Sequence, residues 1–363
     1  MTPLSIAILG TRGVPPSYGG FETFAGELSR RLVRRRHRVA VYCREDGPAT
    51  WEGVDRIVLP AIRHKYFETV SHAALSVLDA IRRDFDVVLV CNAANAFVLP
   101  LLRAARIPVA INVDGIERRR RKWNAAGRMV YAIGESFSVS FANAIVADAK
   151  VIADYYRTRF GADPMTIAYG ADFPDEPDTD VLARLGIRPR TYILYVSRFE
   201  PENNPLEVVR ACERVPDAPP LVMVGHALYA KDLEAELRLH SGNRVMLPGA
   251  IYGADYRTLQ RNALLYVQAT EVGGTHPAMI EAMGSGGAVL ALATPENREV
   301  GGDAVGYFEF RPQETLSRTL HERLDDRDGL ERLRAAGRKR AREKFQWEAV
   351  VDAYERLFRN IGK

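Results

Sequence analysis

A doubly wound α/β architecture in two halves is the fold class that this 363-residue sequence predicts. Three observations predict it. Short runs of consecutive apolar residues, the mark of strands buried on both faces, alternate with stretches of helical period. The alternation pauses at residues 172–177, an acidic segment with two prolines, and then restarts. The length exceeds what one core usually organises and suits two.

The elements follow in order. Ile6-Ala-Ile-Leu9 is a continuous apolar run, and similar runs place strands at residues 39–43, 87–91, 109–113, 144–147 and 166–168. Apolar residues recurring every three to four positions place helices at 21–35, 72–82, 97–105 and 151–160. Beyond the linker, strands are expected at 192–196, 221–224, 245–247, 264–267 and 288–291, with helices at 205–214, 230–239, 255–261 and 277–285. From about 312 to 361 the chain reads as nearly all helix. Its last segment carries the stripe Trp347, Val350, Val351, Tyr354 and Leu357, which suits packing back onto the first domain. The expected organisation is therefore a first domain at 1–172, a second at 178–345, and a terminal helix at 346–363. Two such domains facing a cleft place ligands beyond the carboxyl ends of their strands.

Composition narrows the function classes. The apolar and charged fractions, 47% and 26%, are those of an ordinary soluble globular protein. No apolar run approaches the ~20 residues of a membrane span, and the N-terminus shows no signal-peptide pattern, so a cytoplasmic protein is expected. Cys43, Cys91 and Cys212 are scattered and lack CxxC spacing, which predicts reduced, buried thiols and no zinc. Residues 1–175 carry 24 Lys and Arg against 18 Asp and Glu, the remainder 26 against 28. Two clusters dominate the basic half, Arg30-Arg31 with Arg34–Arg36 and Arg38, and Arg118–Arg121 with Lys122. They read either as solvated helix surface or as attraction to an anionic membrane or phosphorylated acceptor. Without interleaved aromatics they do not suggest nucleic acid. His37, His64, His72, His226 and His240 lack metal-ligand spacing and read as surface or helix-end residues.

The chemistry concentrates in a few turns. Glu271-Val-Gly-Gly-Thr-His-Pro-Ala-Met-Ile-Glu281 follows a strand and enters a helix at Pro277, where a missing N–H costs nothing. Its Gly273-Gly274-Thr275 turn can bring backbone N–H groups to an anion, and Glu281 one turn further can accept two hydroxyls. Phosphate donors followed by a diol acceptor suggest a nucleotide-linked sugar. In the first half, Gly10-Thr-Arg-Gly13 ends the first strand without forming a GxGxxG fingerprint, and Gly19-Gly20 precede a helix. That pair suits either an approach to pyrophosphate or a plain helix-entry turn beside Glu22. Arg198, just past a strand, can fork onto phosphate oxygens or pair with Glu200 or Glu202.

Taken together, these segments resemble a retaining glycosyltransferase of family 4 with the GT-B fold. More closely, they resemble its bacterial rhamnosyltransferase branch, whose N-terminal half was long labelled a domain of unknown function. The resemblance spans nearly the whole chain. It rests on Gly10-Thr-Arg-Gly-Val-Pro and Tyr18-Gly-Gly-Phe-Glu-Thr-Phe, on Asn112-Val-Asp-Gly-Ile-Glu117 with Lys122-Trp123, on Pro201-Glu-Asn-Asn204, and on Val272-Gly-Gly-Thr-His-Pro with Glu281-Ala-Met. It implies that Glu281 binds the donor ribose, Arg198 and Gly19-Gly20 the diphosphate, and Gly273, Gly274, Thr275 and His276 the transferred sugar. Where many members have a lysine this chain has Asn203, and where a glutamate commonly stands it has Gly273. The rhamnosyltransferase branch usually shares both departures. Glu271 replaces that glutamate only if the loop bulges. The chain's own departures are His276 for an asparagine, Gln268 and Thr270 for histidines, and Arg118 for a tryptophan. The first three bear on the donor sugar, His276 most directly.

The implied reaction needs charge stabilisation on a departing diphosphate and a destination for the acceptor proton. Arg198, Gly19-Gly20 and the Gly274-Thr275 amides are expected to supply the first without a metal, since no acidic DxD-type motif stands at a strand end. The departing phosphate oxygen itself can take the proton. Asp114 is the candidate for orienting the acceptor hydroxyl, although an Asp before Gly115 also suits a simple turn. Arg198, Asp114 and Glu271 are thus the catalytic candidates, and Asp114, Glu117 and Arg118 the acceptor-side ones, with Trp123 either shaping that side or packing. No cofactor is expected, because the nucleotide sugar is a substrate. The resemblance implies dTDP-rhamnose and a lipid-linked saccharide acceptor at the inner face of the cell membrane. A soluble acceptor with another donor, a nucleotide-sugar epimerase and a non-catalytic nucleotide-sugar sensor are the alternatives.

Overall fold

The computed structural model describes residues 2–16, 19–62, 68–121, 123–174, 176–227, 230–242, 244–310 and 315–362. The chain forms two compact units. Residues 1–119, 123–170 and 347–363 make the first, and residues 120–122 and 171–346 the second.

The first unit runs β1 (Ser5–Leu9), α1 (Gly20–Arg34), β2 (Arg38–Cys43), β3 (Thr50–Trp51), β4 (Val54–Val58), α2 (Glu68–Ala80) and β5 (Val87–Cys91). A 3-10 turn (Ala93–Val98) leads into α3 (Leu99–Ala104), followed by β6 (Val109–Asn112), α4 (Ala125–Phe141), β7 (Ala144–Ala147), α5 (Lys150–Phe160) and β8 (Met165–Thr166). Its sheet has the order β3-β4-β2-β1-β5-β6-β7-β8. All neighbours are parallel except β3 and β4, an antiparallel edge pair that the sequence reading lacked. Apolar side chains from the two sheet faces enter two separate cores, as continuous apolar strands require. The first core includes Trp347, Val350, Val351, Tyr354, Leu357 and Phe358 of the C-terminal helix, Trp347–Ile361.

Two further expectations needed correction. The helix expected at 97–105 is a 3-10 turn capped by Asn92, whose side chain accepts from the Ala94 N–H at 2.8 Å, and only then α3. The 17-residue α4 went unread, because Met129, Val130 and Ile133 sit exposed on its outer face and blur the apolar stripe. The histidine reading also fails in part. His37 and His72 are buried, with His37 Nδ1 accepting from the Leu4 N–H at 3.0 Å and His72 Nε2 donating to the Cys43 carbonyl at 3.0 Å. His64 lies outside the described residues.

The second unit runs α6 (Val181–Arg184), β9 (Ile193–Val196), α7 (Pro205–Glu213), β10 (Leu221–Val224), α8 (Lys231–Leu239), β11 (Val245–Gly249), α9 (Gly253–Asn262) and β12 (Leu265–Gln268). It continues with α10 (Pro277–Gly284), β13 (Val289–Leu292), α11 (Pro295–Gly301), β14 (Gly306–Phe308), α12 (Thr315–Asp325) and α13 (Arg327–Lys344). The order β11-β10-β9-β12-β13-β14 is parallel throughout, and one apolar core packs against it. Both halves are doubly wound and Rossmann-like. In each, the chain leaves a central strand, β1 or β9, to one side and returns to the other. The carboxyl ends of those strands are topological switch points, where such sheets hold ligands.

The basic clusters are largely neutralised within the fold. Arg35 pairs with Glu348 at 2.6 Å, Asp352 at 2.5 Å and Glu355 at 3.0 Å on the C-terminal helix. Arg31 is buried, paired with Glu27 and lying over the Trp347 ring, and Arg34 reaches Glu52. All three cysteines are free and buried, and burial pushes the Cys212 thiol up to about 12.

Candidate functional site

At the switch point of the second unit, the loops leaving β9 and β12 lie side by side because those strands are paired. The β9 loop carries Arg198 and then a short 3-10 turn, Pro201–Asn203. Asn204 takes a left-handed conformation, φ 55°, and ties the two loops together. Its Nδ2 donates to the Ala269 carbonyl at 2.9 Å and to Glu271 Oε1 at 3.1 Å. The Glu271 N–H adds a bond to the Glu202 carbonyl at 2.9 Å. Arg198 therefore stands on a braced loop. Its guanidinium is about a third exposed, with Glu200 at 3.8 Å.

Asn203 is turned inward. It is buried, and its Nδ2 donates to the Arg198 carbonyl at 2.7 Å, while the Tyr195 hydroxyl donates to the Asn203 carbonyl at 2.8 Å. In this position Asn203 braces the backbone of Arg198. Glu271 is likewise engaged, since Arg121 reaches its Oε1 at 3.2 Å beside the Asn204 bond.

The turn from Gly273 to Thr275 is buried and leads into α10, with His276 at the N-cap and Pro277 in the first turn. The His276 ring folds back onto Gly273, where any Cβ would come within 2.4 Å of its Cε1. A side chain at 273 would therefore displace the histidine ring. Burial, with Arg120 adding repulsion, lowers the His276 pKa to about 4, so the ring is neutral near pH 7. Its Nε2 is buried and has no hydrogen-bond partner among the described residues. A buried polar atom of this kind costs about 1–3 kcal/mol until something meets it, and a sugar hydroxyl is a suitable group.

Glu281 lies on α10, half-buried, and its Oε2 accepts from the Tyr256 hydroxyl at 2.7 Å. Gln260 Nε2 donates to that same hydroxyl oxygen at 2.7 Å. Burial and the adjacent carboxylate hold the Tyr256 phenol well above its ordinary pKa, so it stays a donor. Tyr256 thereby fixes the carboxylate. It lies on α9 without any local motif, and the sequence offered no signal for it. Arg120 and Arg121 were legible only as part of a charge run. The structure assigns them to the second unit, where Arg120 is buried between Glu202 at 3.3 Å and Glu200 at 3.6 Å.

At the first unit's switch point, Gly10 (φ 96°) ends β1, and a Cβ there would stand 2.4 Å from the Cys91 carbonyl. Gly19 differs. Its backbone is extended and, among the described residues, a Cβ would meet only Glu22 Oε2 at 3.5 Å, so those residues do not demand glycine there. Gly20 opens α1, and the buried Glu22 accepts the Arg12 N–H at 2.9 Å. Asp114 follows β6 with φ 57°, its N–H bonded to Asn112 Oδ1 at 3.0 Å. Glu117 is buried in a 3-10 turn, Glu117–Arg119. Arg118 donates to the Tyr155 hydroxyl at 2.7 Å and pairs with Glu135 at 3.2 Å, which commits it within the unit. Trp123 packs on Tyr131, ring centroids 5.2 Å apart. Among the described residues, no three His, Cys, Asp or Glu side chains are grouped to hold a metal ion.

Known proteins share this architecture. Residues 18–171 match the family described as Glycosyltransferase Family 4, and residues 182–340 match Glycosyl transferases group 1. No curated protein is similar enough in sequence to count as a match. Among solved structures, sucrose-phosphate synthase from Thermosynechococcus elongatus superposes with a TM-score of 0.84 at 18% identity, over 98% of each chain. Anabaena HepE in complex with UDP-glucose gives 0.80 at 16% identity, over 98% of this chain and 100% of that one. The catalytic domain of Arabidopsis thaliana starch synthase IV, bound to ADP and acarbose, gives 0.75 at 13% identity over 99% of each. At such identities the likeness is one of fold.

Proposed function

The chain belongs to the family 4 glycosyltransferases of GT-B fold, and from that premise we propose that it moves a sugar from a nucleoside diphosphate to an acceptor hydroxyl with retention at the anomeric carbon. The observation that carries this reading is the switch point of the second unit. Arg198, the buried Gly273–Thr275 turn and the oriented Glu281 supply, in order, a phosphate fork, backbone donors and a diol acceptor.

In the proposed reaction the bond from anomeric carbon to phosphate oxygen breaks as the acceptor oxygen attacks on the same face. The acceptor proton passes to the departing phosphate oxygen. Arg198 and the Gly274-Thr275 amides offset the charge that develops there, which is where electrostatic stabilisation acts most strongly. Gly19-Gly20 keeps the phosphate role that its motif implies, supported by a glycine at 19 that the described residues do not themselves require. Asp114 orients the acceptor hydroxyl. Glu271 holds the loop, and His276 Nε2 accepts from, or donates to, a hydroxyl of the transferred sugar.

The finer reading takes dTDP-rhamnose as donor and a lipid-linked saccharide as acceptor. The donor part rests on the sequence resemblance. A surface of the first unit supports the acceptor part: Met129, Val130 and Ile133 on α4 and Leu101 on α3 are exposed, accompanied by exposed Arg103, Arg106 and Arg128. Residues 92–143 present no exposed carboxylate among those described. Apolar side chains ringed by cations suit an anionic bilayer surface. The competing reading, a UDP- or ADP-sugar and a soluble acceptor, follows the ligands named for HepE and starch synthase IV.

A panel of dTDP-, UDP- and GDP-sugars with chelator present, with and without acceptor, tests the proposal. Donor consumption that requires acceptor and survives chelation is expected. Isomerisation without acceptor would indicate an epimerase, and binding alone a sensor. An Arg198→Ala variant should turn over about 100- to 1,000-fold more slowly; normal turnover would remove Arg198 from the mechanism.

A further inference from the structure

We propose that Tyr354, on the C-terminal helix, is a positioning residue for Asp114, acting through Asn112. Three buried or half-buried groups form one chain of hydrogen bonds within the first unit. Asn112 ends β6 fully buried, and its Oδ1 accepts the Asp114 N–H at 3.0 Å. Its Nδ2 donates to the Tyr354 hydroxyl at 2.9 Å, across 242 residues of sequence.

The chain has only one workable polarity. A backbone N–H can be met only by the amide oxygen of Asn112, so the side chain cannot flip without leaving that donor unpaired. Its nitrogen must then face the helix, where the Tyr354 hydroxyl accepts. Tyr354 is itself immobilised: it is fully buried, with Phe24 and Phe358 ring centroids at 5.3 and 5.7 Å. What the arrangement fixes is an unfavourable backbone. Asp114 has φ 57°, a left-handed conformation that an Asp adopts more readily when a side chain bonds its N–H locally. The strained residue is the one assigned to the acceptor hydroxyl, and strain of this kind persists only where surroundings over-determine it. Tyr354 therefore adds to its core-packing role a setting of the loop after β6.

The inference rests on the assignment of Asp114 to the acceptor, and its test separates the two. Hydrogen exchange followed by mass spectrometry reports on the peptide containing Asp114, in the full chain without ligand. In Tyr354→Phe, which keeps the ring, exchange there should rise about tenfold, the loss of one typical hydrogen bond, with the C-terminal helix and β5 unchanged. In an Asn112→Ala background, adding Tyr354→Phe should change nothing more at Asp114. Unchanged exchange at Asp114, or a rise spread evenly over the unit, would overturn the coupling. With the donor selected by the panel above, Tyr354→Phe should lower kcat while leaving donor affinity intact. Full turnover in Asp114→Asn would instead overturn the acceptor assignment, and the positioning role with it.

Discussion

His72 illustrates how burial sets the behaviour of a single titratable group. It sits inside α2, and desolvation lowers its pKa to about 4 despite the bond to the Cys43 carbonyl. His276 is lowered to about 4 as well, and His37 is lowered by burial against the pull of Glu355. In the unfolded chain these rings bind protons near pH 6.5. Between about pH 6.5 and 4 the unfolded state therefore holds more protons, and stability falls as pH drops through that window. For His72 the expected loss is roughly 3 kcal/mol. Urea melts from pH 7.5 to 4.5 should show the decline, and His72→Gln should flatten it. A midpoint independent of pH over this range would rule the effect out. None of this was visible in sequence, where a histidine amid helix-forming residues carries no sign of what lies above it.

At the scale of elements, periodicity succeeded where one face is buried and failed where it is not. The strands β5, β9 and β10, and β1 and β2 beyond their first residue, are apolar because helices cover both sides of each sheet. The helix α4 was missed because apolar residues occupy its outer face as well as its inner one. The C-terminal helix shows the opposite case. Its stripe is plain in sequence, but only the structure shows it closing the first unit's core and pairing Glu348, Asp352 and Glu355 with Arg35. Burying Trp347, Val350, Val351, Tyr354, Leu357 and Phe358 contributes about 1.5–3 kcal/mol per side chain. That total rivals a domain's whole stability of about 5–15 kcal/mol. A chain ended at Gln346 should accumulate as insoluble protein or lose its near-ultraviolet circular dichroism. Soluble material melting like the intact protein would contradict this.

Over the whole molecule, ion pairing decides how many of the basic side chains are left to solvent. The arginine runs at residues 30–38 and 118–122 read in sequence either as solvated helix surface or as attraction to an anionic membrane or phosphorylated acceptor. The fold pairs most of those cations with its own carboxylates and leaves the exposed apolar residues of α3 and α4, with the exposed Arg103, Arg106 and Arg128, as the bilayer candidate. Co-sedimentation with phosphatidylglycerol vesicles at low salt is the expected behaviour, with little on phosphatidylcholine. The triple change Met129→Glu, Val130→Glu and Ile133→Glu should abolish it, whereas Arg35→Ala should not. Equal binding by the triple variant would remove this face from consideration, and a shift in oligomeric state would assign it to a second copy instead.

The sequence by itself determined the two doubly wound halves and the glycine turns that enter helices beyond their strands. Those features are local, being written in apolar runs, glycine turns and helix starts that need no distant partner. Tertiary structure alone decided which charged and polar side chains remain available for chemistry. Asn203 and Glu271 are drawn into bracing one loop, Arg120 and Arg121 belong to the unit they do not adjoin in sequence, and Tyr256 fixes Glu281. A buried polar group must find a partner wherever the fold brings one, and that pairing depends on distances in space that residue spacing does not encode.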